Sequence, residues 1–458
     1  MRLLQSGSCP ELALNQQLTK FEGNNTIADV FGVHFSYEQY YLPGSPLIEL
    51  VAVYSLTRVS GEIVVSALVT DFSDSRARDL EVSDSASQLS DLWGVPLLPL
   101  ASPVLLQPVA IEKPWGQEIW FTGIEERGLS RVCDGDKSSP LSWWLAVAPK
   151  RLAEGAERKI NLLKILDPLP EEVFGDLYYE LHEEKQEVYV VTHVDKKAWP
   201  AGKGAIRFGF DSKRLEQAES HERFRTEYTE AVLQYREVRE EIDAALDECR
   251  RKEGVELNAP ISAERLKGWL NSIPEQLQSK EKFLRDSMNS FTALLPLSVG
   301  DVVRVPTLTP HALQHGVRTV EFQTPVYERM ILSFAQKVLT QDHWDTHEAV
   351  QKMSLHAPEQ PPLKVLERSD QHTLEQVVEF DDFIVRRLTL HPDAEWELEK
   401  GWGYGLIMSV SGTPVVSGKD LPAEQALYIP ANSGSVAISA TSKQQAVLLL
   451  AEPVQPAV

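Results

Sequence analysis

The sequence predicts a mainly β protein of more than one domain, and three observations carry that prediction. From residue 104 to 211 the chain runs through short strand-like stretches broken by turn residues: VLLQPVAIEKPWG, LSWWLAVAP, INLLKILDP, DLYYELH and EVYVVTHV. Many short strands at close spacing argue for a sandwich or barrel rather than a βαβ sheet. The same texture resumes at LLPLSVGDVVRVP and again from about 374 to 453. Finally, 458 residues exceed one ordinary core, so about two to four domains are expected.

Composition narrows the class. Hydrophobic residues make up 43% and charged residues 24%, ordinary for a globular chain and unlike a disordered or collagen-like one. No apolar run reaches the ~18 residues of a membrane span. The opening MRLLQSGSCPELALNQQ lacks the charged-then-apolar pattern of a secretory signal. Cys9, Cys133 and Cys249 stand far apart with no C-x-x-C, which gives neither a disulfide framework nor a thiolate zinc site. A cytoplasmic protein is expected. Net charge is -22, from 67 acidic and 45 basic residues. Such a surface repels nucleic acid and anionic membranes, so neither is expected as a partner. It also repels anionic metabolites, which would need a locally basic pocket.

In chain order, residues 1–103 read as an N-terminal β-rich extension of unknown role. LIELVAVYSLTRVSGEIVVSALVTDFS is rich in β-branched residues, and Ser60-Gly61 suggests the turn of a strand pair. The Asp/Ser-rich DFSDSRARDLEVSDSASQLSD reads as a loop or weak helix. Residues 104–211 and 293–356 form a first β domain, interrupted by a helical insertion at 212–292. Within it Tyr228, Val232, Tyr235, Val238, Ile242, Leu246 and Cys249 recur every three to four residues, the pattern of a long amphipathic helix stopped near Gly254. A second helical block runs from ISAERLKGWL to DSMNSF. After the Pro-rich HAPEQPPLKVLE, residues 365–458 form another β domain.

The sharpest chemical signal is Gly175-DLYY-Glu180-Leu-His182-EEKQ-Glu187. In a strand, Glu180 and His182 share one face. The four residues EEKQ then reverse the chain as a hairpin, so Glu187 opens the return strand opposite His182. Two carboxylates and an imidazole then converge, a donor set suited to a zinc, manganese or iron ion. The ordinary alternative is a solvated charged hairpin. A second segment, Gly300-DVVRV-Pro306-TLTP-His311-AL, places a histidine at a fixed offset beyond a turn glycine, a strand and a proline bend; a hydrogen-bonded loop histidine is its alternative. QDHWDTHE sets His343 and His347 four residues apart, readable as a metal pair or, with no partner motif, as a solvated helix face.

These two segments resemble the paired signature motifs of the cupin superfamily, in which the second supplies the last metal-binding histidine. EKPWGQEIW (112–120), INLLKILD (160–167), KQEVYVV and PTLTPHAL followed by VEFQTPVYER are similar, in the same order, to type I mannose-6-phosphate isomerases. The resemblance spans roughly residues 104–453, and KPWG and PTLTPHAL are its most specific parts. Residues 1–103 have no counterpart in it.

The resemblance implies two cupin (jelly-roll) barrels, the first catalytic and carrying the helical insertion, the second free of metal. In that second barrel Ser435 stands where His311 stands in the first. It implies one divalent ion, zinc first with manganese or iron as alternatives, held by Glu180, His182, Glu187 and His311. The family has Gln-x-His where this chain has Glu180-Leu-His182, and a longer loop before Glu187. The added carboxylate makes a bound ion a weaker Lewis acid and shifts preference from zinc toward manganese or iron. Arg329 and Lys185 are implied as catalytic, and Lys113, Trp115 and Lys164 as substrate-binding residues at the pocket. Their ordinary readings are surface charge for Lys185 and Arg329, and core packing for Trp115. The four basic groups would supply the local positive field a phosphosugar needs. The implied activity is interconversion of mannose 6-phosphate and fructose 6-phosphate by a monomer or homodimer. Another metal-dependent cupin enzyme and a non-catalytic sugar-phosphate-binding protein are the alternatives.

Overall fold

The computed structural model describes residues 1–399, 401–441 and 444–455. The chain is mainly β, as expected, and forms two compact units. No described helix is long and apolar enough to cross a membrane.

One unit comprises Met1–Val109, Trp120–Leu163 and Pro362–Val458. The N-terminal segment therefore does not stand by itself. It forms a five-stranded sheet in the order Arg2–Gln5, Ala28–Glu38, Leu47–Val59, Glu62–Asp71, Leu98–Pro99. Leu47–Val59 and Glu62–Asp71 pair from Val59↔Glu62 across Ser60 and Gly61, both at positive φ, the two-residue turn that matches strand twist. The Asp/Ser-rich stretch folds as two helices, Asp74–Val82 and Ala86–Trp93, capped by the Ser73 and Ser85 hydroxyls. The same unit holds a nine-stranded sheet in which Val104–Gln107 pairs with Ala426–Ile429. Strand pairing of 104–107 with the C-terminal β block is what places this segment in the same unit as that block. LSWWLAVAP is also corrected, from strand to helix (Leu141–Val147), with Leu141, Trp144 and Leu145 buried. A short apolar run fits either periodicity, and here the i, i+3, i+4 face won.

The other unit, Ala110–Ile119 and Lys164–Pro361, presents two sheets to a shared core. The six-stranded sheet runs Val302–Val305, Glu187–Val194, Val317–Gln323, Leu162–Pro168, Gly116–Trp120, Val109–Lys113. The five-stranded sheet runs Thr292–Leu297, Gly204–Phe210, His311–Leu313, Tyr179–Leu181, Met330–Ser333. Tyr189, Val191 and Val303 from the first meet Ile206, Phe208 and Leu313 from the second. Neither sheet closes into a barrel among the described residues. The outer face of the five-stranded sheet is covered by the long helix His221–Lys252, whose Phe224, Tyr228, Val232 and Tyr235 pack with Tyr179, Leu181 and Leu332. Alternation along the strand does the rest: Tyr179 and Leu181 face the helix, so Tyr178, Glu180 and His182 face the opposite way.

Two glycines of the quoted motifs answer to sterics. Gly116 of KPWG sits at φ 144, and a Cβ there would lie 2.3 Å from the Asp167 carbonyl oxygen; at Gly175 it would lie 1.8 Å from that of Leu169.

Candidate metal centre

Glu180 and His311 are direct neighbours across an antiparallel ladder, and His182 follows two residues beyond Glu180. The ligand atoms of these three side chains all lie within 4.8 Å of one another. Glu187 completes the group by a different route from a hairpin. Its strand belongs to the six-stranded sheet and pairs with Val302–Val305 and Val317–Gln323, so residues 183–186 cross from one sheet to the other. Convergence thus happens across the sandwich interior and needs the whole fold. Glu187 Oε1 lies 3.4 Å from His182 Nε2, and its Oε2 lies 3.1 Å from His311 Nε2.

The ring orientations fit a cation. His182 Nδ1 is 3.0 Å from the Glu328 carbonyl oxygen and His311 Nδ1 is 2.9 Å from that of Thr309. A carbonyl only accepts, so each Nδ1 carries the proton and each neutral ring keeps its lone pair on Nε2. Among the described residues, His182 Nε2 and Glu180 Oε2 are sealed from solvent and make no hydrogen bond. Buried acceptors facing other acceptors are unfavourable unless a cation sits among them. Burial and the Lys185 charge push the His182 pKa down, which favours the neutral ring a metal requires. Burial opposes the charge of Glu187, but the Lys185 ammonium beside it holds its carboxyl well below the ordinary range. Tyr189 donates its hydroxyl to Glu187 Oε2 at 2.6 Å. The donor set of two imidazoles and two carboxylates suits zinc, manganese or iron.

The basic residues that the resemblance places at the pocket each have an acidic neighbour. Every basic group is already engaged by a carboxylate. Lys185 Nζ lies 2.7 Å from Glu187 and Lys113 Nζ 3.1 Å from Glu118. Lys164 Nζ lies 3.3 Å from Glu321 and 3.8 Å from Glu118. Arg329 Nη1 is 3.8 Å from Glu180, and its guanidinium lies over the Tyr178 ring at 4.4 Å. Each of these four cations thus has a carboxylate beside it. Burial works against the Lys164 charge, but Glu118, Glu321 and Glu187 outweigh it and raise its pKa. Burial also opposes the Arg329 charge, and Glu180 more than compensates. Trp115, expected at the pocket mouth, is 1% exposed and packs in the core with Leu166 and Tyr178. His343 precedes the helix Thr346–Lys352 and pairs with Asp342 and Asp345, so it shares no helical face with His347.

Sequence reasoning missed Glu321, Glu118, Tyr178 and Glu328. Glu321 lies opposite Tyr189 in register, on the face that carries Glu187. Burial and the Glu187 charge push its pKa well above the carboxylate range. An acidic residue inside the apolar strand VRTVEFQ was the available signal. Burial pushes the Tyr178 phenol up to about 12, keeping it neutral under Arg329. Glu328 organises the crossing loop: its Oε1 accepts from the Glu184 and Lys185 amides at 3.1 and 3.2 Å, and its carbonyl orients His182.

No family model matches this sequence, and no curated protein matches it. Solved structures do. Mannose 6-phosphate isomerase from Bacillus subtilis is 16% identical, with a TM-score of 0.52 over 77% of this chain and 99% of its own. A point variant of phosphomannose isomerase from Salmonella typhimurium is 14% identical, with a TM-score of 0.53 over 78% and 100%. A zinc-bound mannose 6-phosphate isomerase gives the same identity, TM-score and coverage. The chain therefore shares the fold of the phosphomannose isomerases.

Proposed function

We propose that this protein is a metal-dependent aldose–ketose isomerase that interconverts mannose 6-phosphate and fructose 6-phosphate. The observation that carries the reading is the pair of Nδ1-protonated histidines whose Nε2 lone pairs, with Glu180 and Glu187, face a belt of lysines and Arg329. Glu180, His182, Glu187 and His311 would hold one divalent ion, zinc or, with the extra carboxylate, manganese or iron. When bound, such an ion polarises a substrate oxygen and offsets developing negative charge.

The chain's own residues account for the remaining needs. Isomerisation moves a proton between C2 and C1 through an enediol(ate), which requires a group able to take and return a proton near neutral pH. Glu321, with its raised pKa, is the carboxyl suited to that task. Arg329, oriented on Tyr178, donates to the oxyanion that develops. Lys113, Lys164 and Lys185 bind the anionic substrate by charge-assisted hydrogen bonds. Glu180 and Arg329 are the less buried members of the group, so substrate enters from their side. We read the two sheets of the metal-bearing unit as a cupin-type barrel with residues 212–292 inserted. The C-terminal β block is read as a second, metal-free barrel, and the protein as a cytoplasmic monomer or homodimer.

A second reading, a sugar-phosphate-binding protein without turnover, draws on one observation: carboxylates already occupy all four basic groups. A coupled assay for fructose 6-phosphate with zinc-, manganese-, cobalt- and iron-loaded protein separates the readings. Turnover with any metal supports the isomerase. Saturable binding of mannose 6-phosphate without turnover selects the second reading, and neither binding nor turnover overturns both.

A further inference from the structure

The helices His221–Lys252, Ala263–Leu270 and Glu275–Asn289 border a cavity of about 400 Å³. None of its lining residues belongs to the metal cluster. Its size falls among small-molecule sites, roughly 300–1,000 Å³. Phe174, Ile242, Leu246, Leu266 and Leu270 give it apolar walls, and Arg250 is set among them.

Arg250 is only 4% exposed. Its Nη1 donates to the carbonyls of Glu256 and Ala259 at 3.0 and 2.7 Å. Among the described residues, its Nε and Nη2 make no hydrogen bond; Asp247 Oδ1 stands 3.8 Å from Nε. That carboxylate is taken up by Lys337, whose Nζ lies 2.8 Å from both of its oxygens. Burial lowers the Arg250 pKa in spite of Asp247 and Asp243, the sign of an under-compensated charge. The guanidinium also lies over the Trp269 ring at 5.9 Å, and its remaining N–H groups are free to meet an anion in the cavity by charge-assisted hydrogen bonds.

We propose that this cavity is a second binding site, for a small amphipathic carboxylate whose apolar body lies on Leu246, Leu266 and Leu270 and whose carboxylate pairs with Arg250. The planar fork of arginine matches a carboxylate. The other lining cations, Arg239, Lys282, Arg285 and Lys337, each lie beside a carboxylate, so the Arg250 edge is left to balance a single negative charge, whereas a phosphate ester brings about two. The site is independent of the isomerase reading.

Titration calorimetry of the full-length protein with octanoate as probe tests this, with 1-octanol and inorganic phosphate as controls. Octanoate binds saturably at one per chain, octanol at least ~tenfold more weakly, the worth of one charge-assisted pair, and phosphate does not compete. Arg250→Gln brings octanoate down to the octanol level. Because that change also removes two bonds to carbonyls, Leu270→Trp, which fills the cavity from a half-buried position, serves as the second variant and abolishes binding at unchanged thermal stability. Absence of saturable octanoate binding overturns the proposal. So does equal affinity for octanol, or full octanoate affinity in Leu270→Trp.

Discussion

Replacing Lys185 with methionine isolates the electrostatics of the candidate centre. Lys185 is 7% exposed and Glu187 2%, and their charges meet at 2.7 Å. Removing one partner of a buried pair costs about 3–5 kcal/mol, because the other charge is left without compensation. Glu187 keeps the Tyr189 hydroxyl, which argues for the lower end, ~3 kcal/mol. The unit that carries this cluster holds roughly 200 residues, for which 1 kcal/mol moves Tm by about 2–4 °C. Lys185→Met is therefore expected to lower its transition by ~6–12 °C in chelator-treated protein at pH 7, read by calorimetry. The sign with pH follows from the depressed carboxyl. A lowered folded pKa contributes stability above the unfolded value of 4.5, and that contribution is lost as pH falls through the folded value. The deficit of the variant should be full above pH ~5 and shrink below 4.5. Saturation with a divalent ion should narrow it, since the ion replaces the missing charge, and Lys185→Met/Glu187→Gln should recover most of the loss in chelator. A shift under ~2 °C in chelator at pH 7 would refute the reasoning, since Glu187 would then not depend on Lys185.

His182→Ala and His311→Ala should each lose bound metal by elemental analysis; metal content equal to wild type in both would remove the four-residue site. Arg329→Ala should lower turnover at least ~100-fold, the scale for one stabiliser of a developing oxyanion, with metal content unchanged; a smaller drop would assign Arg329 only to holding Glu180. Deleting residues 1–103 should unfold the unit they share with the C-terminal block, because the Tyr54 hydroxyl bonds the Val147 carbonyl and the Ser139 hydroxyl that of Val69. A deletion variant with unchanged melting would show a separable extension.

What could be read from sequence was local. The long helix was legible because Tyr228, Val232, Tyr235, Val238, Ile242 and Leu246 repeat at the helical period and all six are buried. The Ser60-Gly61 turn was legible because two positive-φ residues join strands in one way. Glu180 and His182 could be named because strand alternation is a property of neighbouring residues, and His311 because its segment resembles the second cupin motif. The path that brings Glu187 to them was not legible. Whether four residues close a hairpin or cross between sheets depends on which strands claim each end, and Val302–Val305 and Val317–Gln323 are more than a hundred residues further along. For the same reason the carboxylates that meet each basic residue could not be anticipated: Glu321 reaches Lys164 through strands distant in sequence. Trp115 lay in a motif that suggested a pocket, and only the packed core showed it buried. Periodicity and local spacing specified which side chains share a face; long-range strand pairing, which no local pattern encodes, decided which faces meet and how their charges balance.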